Sequence, residues 1–184
     1  MPNIILCKAF FVAFFFALTR SNVAQPEPAK SCVTVLPSLM IPIYSTAPAL
    51  VSQTSTMFIV SQEASQDFFS DCLVSFVVPD GSTNCQVELS FPNGYQTRWW
   101  DPMEMFFWNV AEPFDSSCCW IDAPGKTNLF GSVVLEANMT YTIVNSFVCE
   151  SSVRFRVGMS RSSAAGSCSF EQRESEGLIL TYGC

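Results

Sequence analysis

Between Cys72 and Pro92 the chain reads CLVSFVVPDGSTNCQVELSFP, two apolar-alternating runs on either side of a turn. In the second run Cys85, Val87, Leu89 and Phe91 share one face, while Gln86, Glu88 and Ser90 share the other. That is the period of two of a half-buried strand. Cys72, Val74, Phe76 and Val78 repeat it in the first run, which Pro79 ends because proline cannot donate to a ladder. Asp80-Gly81 then supplies turn chemistry. Adjacent antiparallel strands are the expectation, although the loop is longer than a two-residue hairpin.

The same reading extends along the chain. Strands are expected at Cys32 to Leu36, Ser55 to Ser61, Tyr95 to Trp100, 103–110, Asn128 to Leu135, Thr140 to Val148, around Val153 to Val157, and at Gly177 to Cys184. Prolines at 37, 42 and 48 argue against a central strand in residues 37–53, which is expected to wrap a sheet edge. Residues 112–126, with Pro113, Pro124, Gly125 and the adjacent Cys118-Cys119, read as a stapled loop, and 161–167 as a flexible one. No stretch carries a convincing helical period, and no fixed-length repeat is present. The expected fold is all-β: a disulfide-stapled antiparallel β-sandwich of about eight or nine short strands.

Residues 1–24 combine a lysine, an unbroken apolar run from Ala9 to Leu18 and a small residue at Ala24, the pattern of a secretory signal peptide. The run is shorter than the ~20 apolar residues a spanning helix needs. Residues 25–31 form a loose, proline-containing lead, and 32–184 a single β-sandwich domain. Removing the signal takes away Cys7 and leaves eight cysteines: Cys32, Cys72, Cys85, Cys118, Cys119, Cys149, Cys168 and Cys184. In an oxidising compartment an even number predicts four disulfides, with the pairing open. Joining neighbours strains the peptide between them, so Cys118 and Cys119 are expected to reach different partners. The net charge of −7 becomes −9 once Lys8 and Arg20 leave, seven basic residues against sixteen acidic. Such a balance disfavours nucleic acid and anionic membrane surfaces as partners.

The chain contains no histidine, which removes Ser-His and Cys-His nucleophile pairs and most catalytic metal sites. The scattered Asp67, Asp71 and Asp80 have no calcium-loop spacing, and neither a metal nor another cofactor is expected. Glu88 on the polar face of its strand, and Asp101 and Glu104 beside tryptophans, leave a carboxylate-dependent glycan-cleaving enzyme as one reading. Trp99, Trp100 and Trp108 are the candidate binding residues, since exposed aromatic rings can stack on sugars. Trp99 and Trp100 are neighbours in a strand, so at most one belongs to a flat platform. Asn138-Met139-Thr140 is the single N-glycosylation sequon, set in a turn between two expected strands.

The run VSFVVPDGSTNCQVELSFP, with Val78-Pro79, Cys85, Leu89 and Phe91-Pro92, followed by ANMTYTIV and by Cys149 before VRFRV, carries a family resemblance. It resembles secreted fungal proteins sharing a C-terminal domain first named in a fission-yeast protein that binds the NEDD8-activating (ubiquitin-like E1) enzyme. The resemblance covers roughly residues 36–184. It implies a secreted β-rich domain of cell-wall-associated proteins, with no catalytic residues to carry over. The signal, the cysteines and the missing catalytic set make the expected function that of a secreted, non-catalytic β-sandwich, extracellular or in the cell wall. It is expected to act at the cell surface or wall or on a neighbouring organism by binding wall polysaccharide or an extracellular protein. A structural wall component without ligand is the third reading.

Overall fold

The structure, a computed structural model, describes residues 32–63, 67–92, 97–99, 103–136, 138–159 and 165–184, the backbone alone at 97–99. Residues 1–24, expected to be a signal peptide, and 25–31, expected to be a loose lead, lie outside these residues. The chain is all-β, with twelve strands in two antiparallel sheets and no helix among the described residues. In chain order the strands are β1 (Val33–Val35), β2 (Leu39–Tyr44), β3 (Met57–Gln62), β4 (Phe69–Val77), β5 (Cys85–Ser90) and β6 (Thr97–Trp99). They continue with β7 (Met103–Val110), β8 (Lys126–Leu135), β9 (Tyr141–Phe147), β10 (Ser152–Met159), β11 (Gly166–Glu171) and β12 (Gly177–Tyr182). The small sheet runs β1-β12-β5-β9, and the large one β6-β11-β3-β4-β10-β7-β8 with β2 added to β4.

The alternation around Cys72 to Pro92 holds, but the pairing expected from it does not. β4 lies in the large sheet and β5 in the small one, so the two strands face each other instead of sharing a ladder. Cys72, Val74, Phe76 and Val78 meet Cys85, Val87, Leu89 and Phe91 in one core, each at most 3% exposed. The connection through Pro79 to Asn84 is long enough to cross the ~10 Å between packed sheets, which a tight hairpin turn cannot do. Phe155 closes the centre of this core, edge-on to Phe76 and Phe107, while Phe58 stacks on Phe170.

β2 and β11 are additions to the expected strand set. Pro42 sits inside β2 opposite Cys72, tolerated because β2 pairs on one side only and a missing N–H costs nothing where no strand accepts it. In β11, Cys168 and Phe170 alternate into the core, a short signal beside the preceding serine-rich loop. Where the sheets converge, Asn145 Nδ2 donates to the Phe130 carbonyl at 2.6 Å. A Cβ on Gly131 would stand 2.7 Å from the Val144 carbonyl oxygen, so glycine is what lets β8 and β9 approach.

Two disulfides form instead of the expected four, and both staple the small sheet. Cys32 bridges Cys184 at the ends of the paired β1 and β12, and Cys85 bridges Cys149 across β5 and the end of β9. Cys72, Cys118, Cys119 and Cys168 are buried free thiols. Geometry keeps them apart: Cys72 and Cys168 point into the inter-sheet core from strands with β3 between them. Cys118 packs with Leu73 on the opposite face of the large sheet, so the sheet itself stands between the two sets. Cys118 and Cys119 reach no separate disulfide partners. Burial pushes the Cys72 thiol up to about 12 and raises that of Cys168 as well.

Candidate binding groove on the outer face of the large sheet

Period-two alternation decides what β4, β7 and β10 present outward. β10 buries Val153, Phe155 and Val157 and turns Arg154 and Arg156 to the other side. Arg156 is opposite Trp108 of β7 and Leu73 of β4, and Gly158 is opposite Phe106. Asp71, one position past the last β4–β10 pair, therefore falls beside Gly158. A Cβ on Gly158 would lie 2.1 Å from Asp71 Oδ1, so the carboxylate rests directly over the glycine.

Asp71 is the only charged residue in β4, with its side chain only 5% exposed. Its Oδ2 accepts from Arg156 Nε at 2.7 Å and from Lys126 Nζ at 3.0 Å. Each cation also lies against an indole: the Lys126 ammonium is 3.8 Å from the Trp108 ring centroid, and the Arg156 guanidinium 4.7 Å from that of Trp120. Phe106 stacks on Trp108, centroids 5.6 Å apart.

The segment between β7 and β8 roofs half of this face. Phe114, Cys118, Trp120 and Ala123 pack on Leu39, Ile41, Ile43 and Leu73, and the Ile121 N–H donates to the Pro48 carbonyl. Its first turn is closed by Asp115, whose carboxylate accepts from the Ser117 N–H and hydroxyl and is held below its ordinary pKa by those bonds. The Cys119 thiol donates to Asp122 at 3.1 Å. Burial raises the Cys118 thiol, with Cys119 and Asp122 adding to the effect. The roof stops at Trp120 and leaves an open groove of about 530 Å³ whose walls include Phe69, Phe106, Trp108, Trp120 and Leu129. Asp71 is its one acidic wall residue among those described, against Lys126 and Arg156.

Of the residues singled out in the sequence, Trp108 lines this groove. Trp99 belongs to β6 but its side chain lies outside the described residues, as do Trp100 and Asp101. Glu104 shares the outer face of β7 with Phe106 and Trp108. Glu88, on the polar face of β5, points to the outer side of the small sheet yet is only 6% exposed. The Thr181 hydroxyl donates to its Oε1, and the Tyr141 hydroxyl, which accepts from Gln86 at 3.3 Å, also bonds to it. Burial, and after it the Glu88 charge, raises the Tyr141 pKa. Asn138 stands exposed in its turn with φ 63°. No cluster of three or more potential ligands that could hold a metal ion occurs among the described residues. No helix there is long and apolar enough to cross a membrane.

Asp71, Lys126, Arg156, Trp120 and Phe106 were not legible as one site. The signal that could have found it is Asp71, since a carboxylate inside a largely apolar strand requires a cation nearby. The family model for the ubiquitin 3 binding protein But2 C-terminal domain matches residues 35–176. The chain belongs to the But2 C-terminal domain family. The matched span runs from the end of β1 to just before β12 and contains every residue that builds the groove. No curated protein matches the chain. But2 membership fixes the kinship of the β-sandwich, and the chemistry of the groove has to be read from its own residues.

Proposed function

We propose that this But2-family domain is a secreted, non-catalytic binding module that engages a protein partner through the groove on its large sheet. The observation that carries the reading is the Asp71 carboxylate held by two cations, each backed by an indole. That network fixes rotamers and so presents a rigid mixed surface of aromatic rings, charge and exposed Leu129, the composition of protein contact sites. The family description, which names a binding protein, points the same way. A sugar platform needs a bare aromatic face, whereas Trp108 and Trp120 each carry a cation. Secretion rests on the signal pattern of residues 1–24 and on two disulfides in the domain. Glycosylation at Asn138 belongs to the same reading, since the sequon lies in an exposed turn.

The test places a photo-crosslinking amino acid at Leu129 of the full secreted chain and, as a control, at Val33 on the small sheet, both exposed. Incubation with extracellular and wall proteins of the producing organism should give a discrete adduct from position 129, absent from position 33 and abolished by Trp108→Ala. No adduct from position 129, with depletion of the chain by insoluble wall polysaccharide instead, would refute the protein-binding reading. Mass spectrometry of the secreted chain checks the compartment, with Gln25 as the expected first residue.

A further inference from the structure

We infer that the groove recognises a carboxylate side chain of the partner, flanked by an apolar residue, through the outer edge of the Arg156 guanidinium. The inference rests on the protein-binding reading and adds the chemistry that the partner must carry.

Arginine has two hydrogen-bonding edges. Arg156 spends Nε on Asp71, while its two Nη groups meet no acceptor among the described residues. Its side chain is 12% exposed and lines the groove, where the Nη groups keep contact with solvent and so can be reached by a partner. Two parallel N–H donors held in one plane match a carboxylate, which accepts them in a bidentate pair. Asp71 fixes the guanidinium from one side and Trp120 from its face, so little rotamer freedom remains to be lost on binding.

Charge placement agrees. The chain carries −7 overall, yet the described walls of the groove hold two bases, Lys126 and Arg156, against one acid, Asp71. A local excess of positive charge on an anionic domain selects an acidic segment at the groove and repels it elsewhere. Beside the guanidinium, Phe106 and Leu129, the latter 54% exposed, offer an apolar shelf for the neighbouring residue. Cations on the indole faces oppose stacking of a sugar ring, which favours a peptide carboxylate over a uronic acid.

The experiment titrates the full mature chain, with its disulfides intact, by amide NMR with two capped peptides. One is acetyl-Leu-Glu-Leu-amide, and the other has Gln in place of Glu. The Glu peptide should bind at least tenfold more tightly, shifting amides around Arg156 and Trp120, and its advantage should shrink as salt rises from about 50 to 300 mM. Arg156→Lys keeps a cation beside Asp71 and loses the fork, so the Glu preference should fall below threefold while the amide spectrum remains that of the folded domain. Equal affinity for both peptides would overturn carboxylate recognition while leaving the groove as a contact site. Binding of neither peptide, or of trigalacturonate alone, would overturn it too. Loss of the Leu129 adduct described above would instead remove the reading beneath it.

Discussion

Gly158→Ala tests the packing under the Asp71 network directly. The new Cβ would stand 2.1 Å from Asp71 Oδ1 and 2.9 Å from its Cγ, where ordinary contact begins at 3.4 Å. The carboxylate oxygen must retreat by about 1.3 Å, the difference between 3.4 and 2.1 Å. Oδ2, which holds both cations, is itself 3.6 Å from the new Cβ. It shares Cγ with Oδ1, however, so relieving the clash swings the whole carboxylate and lengthens its 2.7 Å bond to Arg156 and its 3.0 Å pair with Lys126. Breaking a buried ion pair costs about 3–5 kcal/mol, and Lys126, 32% exposed, recovers part of that in water, so a loss of about 2–4 kcal/mol is expected. For a domain of this size that is roughly 5–15 °C in melting temperature. Urea unfolding of the wild type, Gly158→Ala, Asp71→Ala and the double variant isolates the cause. With Asp71 already truncated, alanine at 158 should be neutral or stabilising by about 0.5 kcal/mol, because glycine weakens a strand. Additive costs, or a Gly158→Ala loss under about 0.5 kcal/mol, would refute the account.

Three further outcomes follow from the buried polar groups and thiols. Alkylation of the unreduced chain should label no thiol while folded and four after unfolding in urea, counted by mass, at Cys72, Cys118, Cys119 and Cys168; fewer than four would mean further bridges. Because burial raises the folded pKa of Cys72 and Cys168 above the unfolded value near 9, their contribution is complete below pH 9 and is lost as pH climbs toward about 12. Stability should thus fall by about 1.4 kcal/mol per pH unit per thiol above pH 9. Cys72→Ala should flatten that slope in urea titrations at pH 8–10.5, and an unchanged slope would contradict it. Thr181→Val removes a donor from the buried Glu88 carboxylate and should cost about 1–3 kcal/mol in urea unfolding, against a few tenths for the exposed strand threonine opposite it, Thr34→Val.

Chain-local patterns carried the fold class. The alternation of Cys85, Val87, Leu89 and Phe91 follows from strand geometry alone, and each of these residues is buried as that geometry requires. Turn chemistry at Pro79, Asp80 and Gly81 likewise marked where β4 stops. What such patterns omit is the identity of the partner. A half-buried strand looks the same whether its neighbour in sequence lies beside it or across the core, and only the packing of whole sheets sent β5 away from β4. Pro42 in β2 and the burial of Glu88 have the same origin, since edge position and side-chain cover are properties of the assembled sheets.

The groove shows the division most sharply. Its residues come from positions 69 to 159, and no spacing relates Asp71 to Lys126 or Arg156. The sequence by itself determined that Arg154 and Arg156 lie on the face of β10 opposite Val153, Phe155 and Val157, because strand alternation is local physics. Tertiary structure decided which cations answer Asp71, which tryptophans back them and which cysteines meet, because each depends on strand order and register across the large sheet.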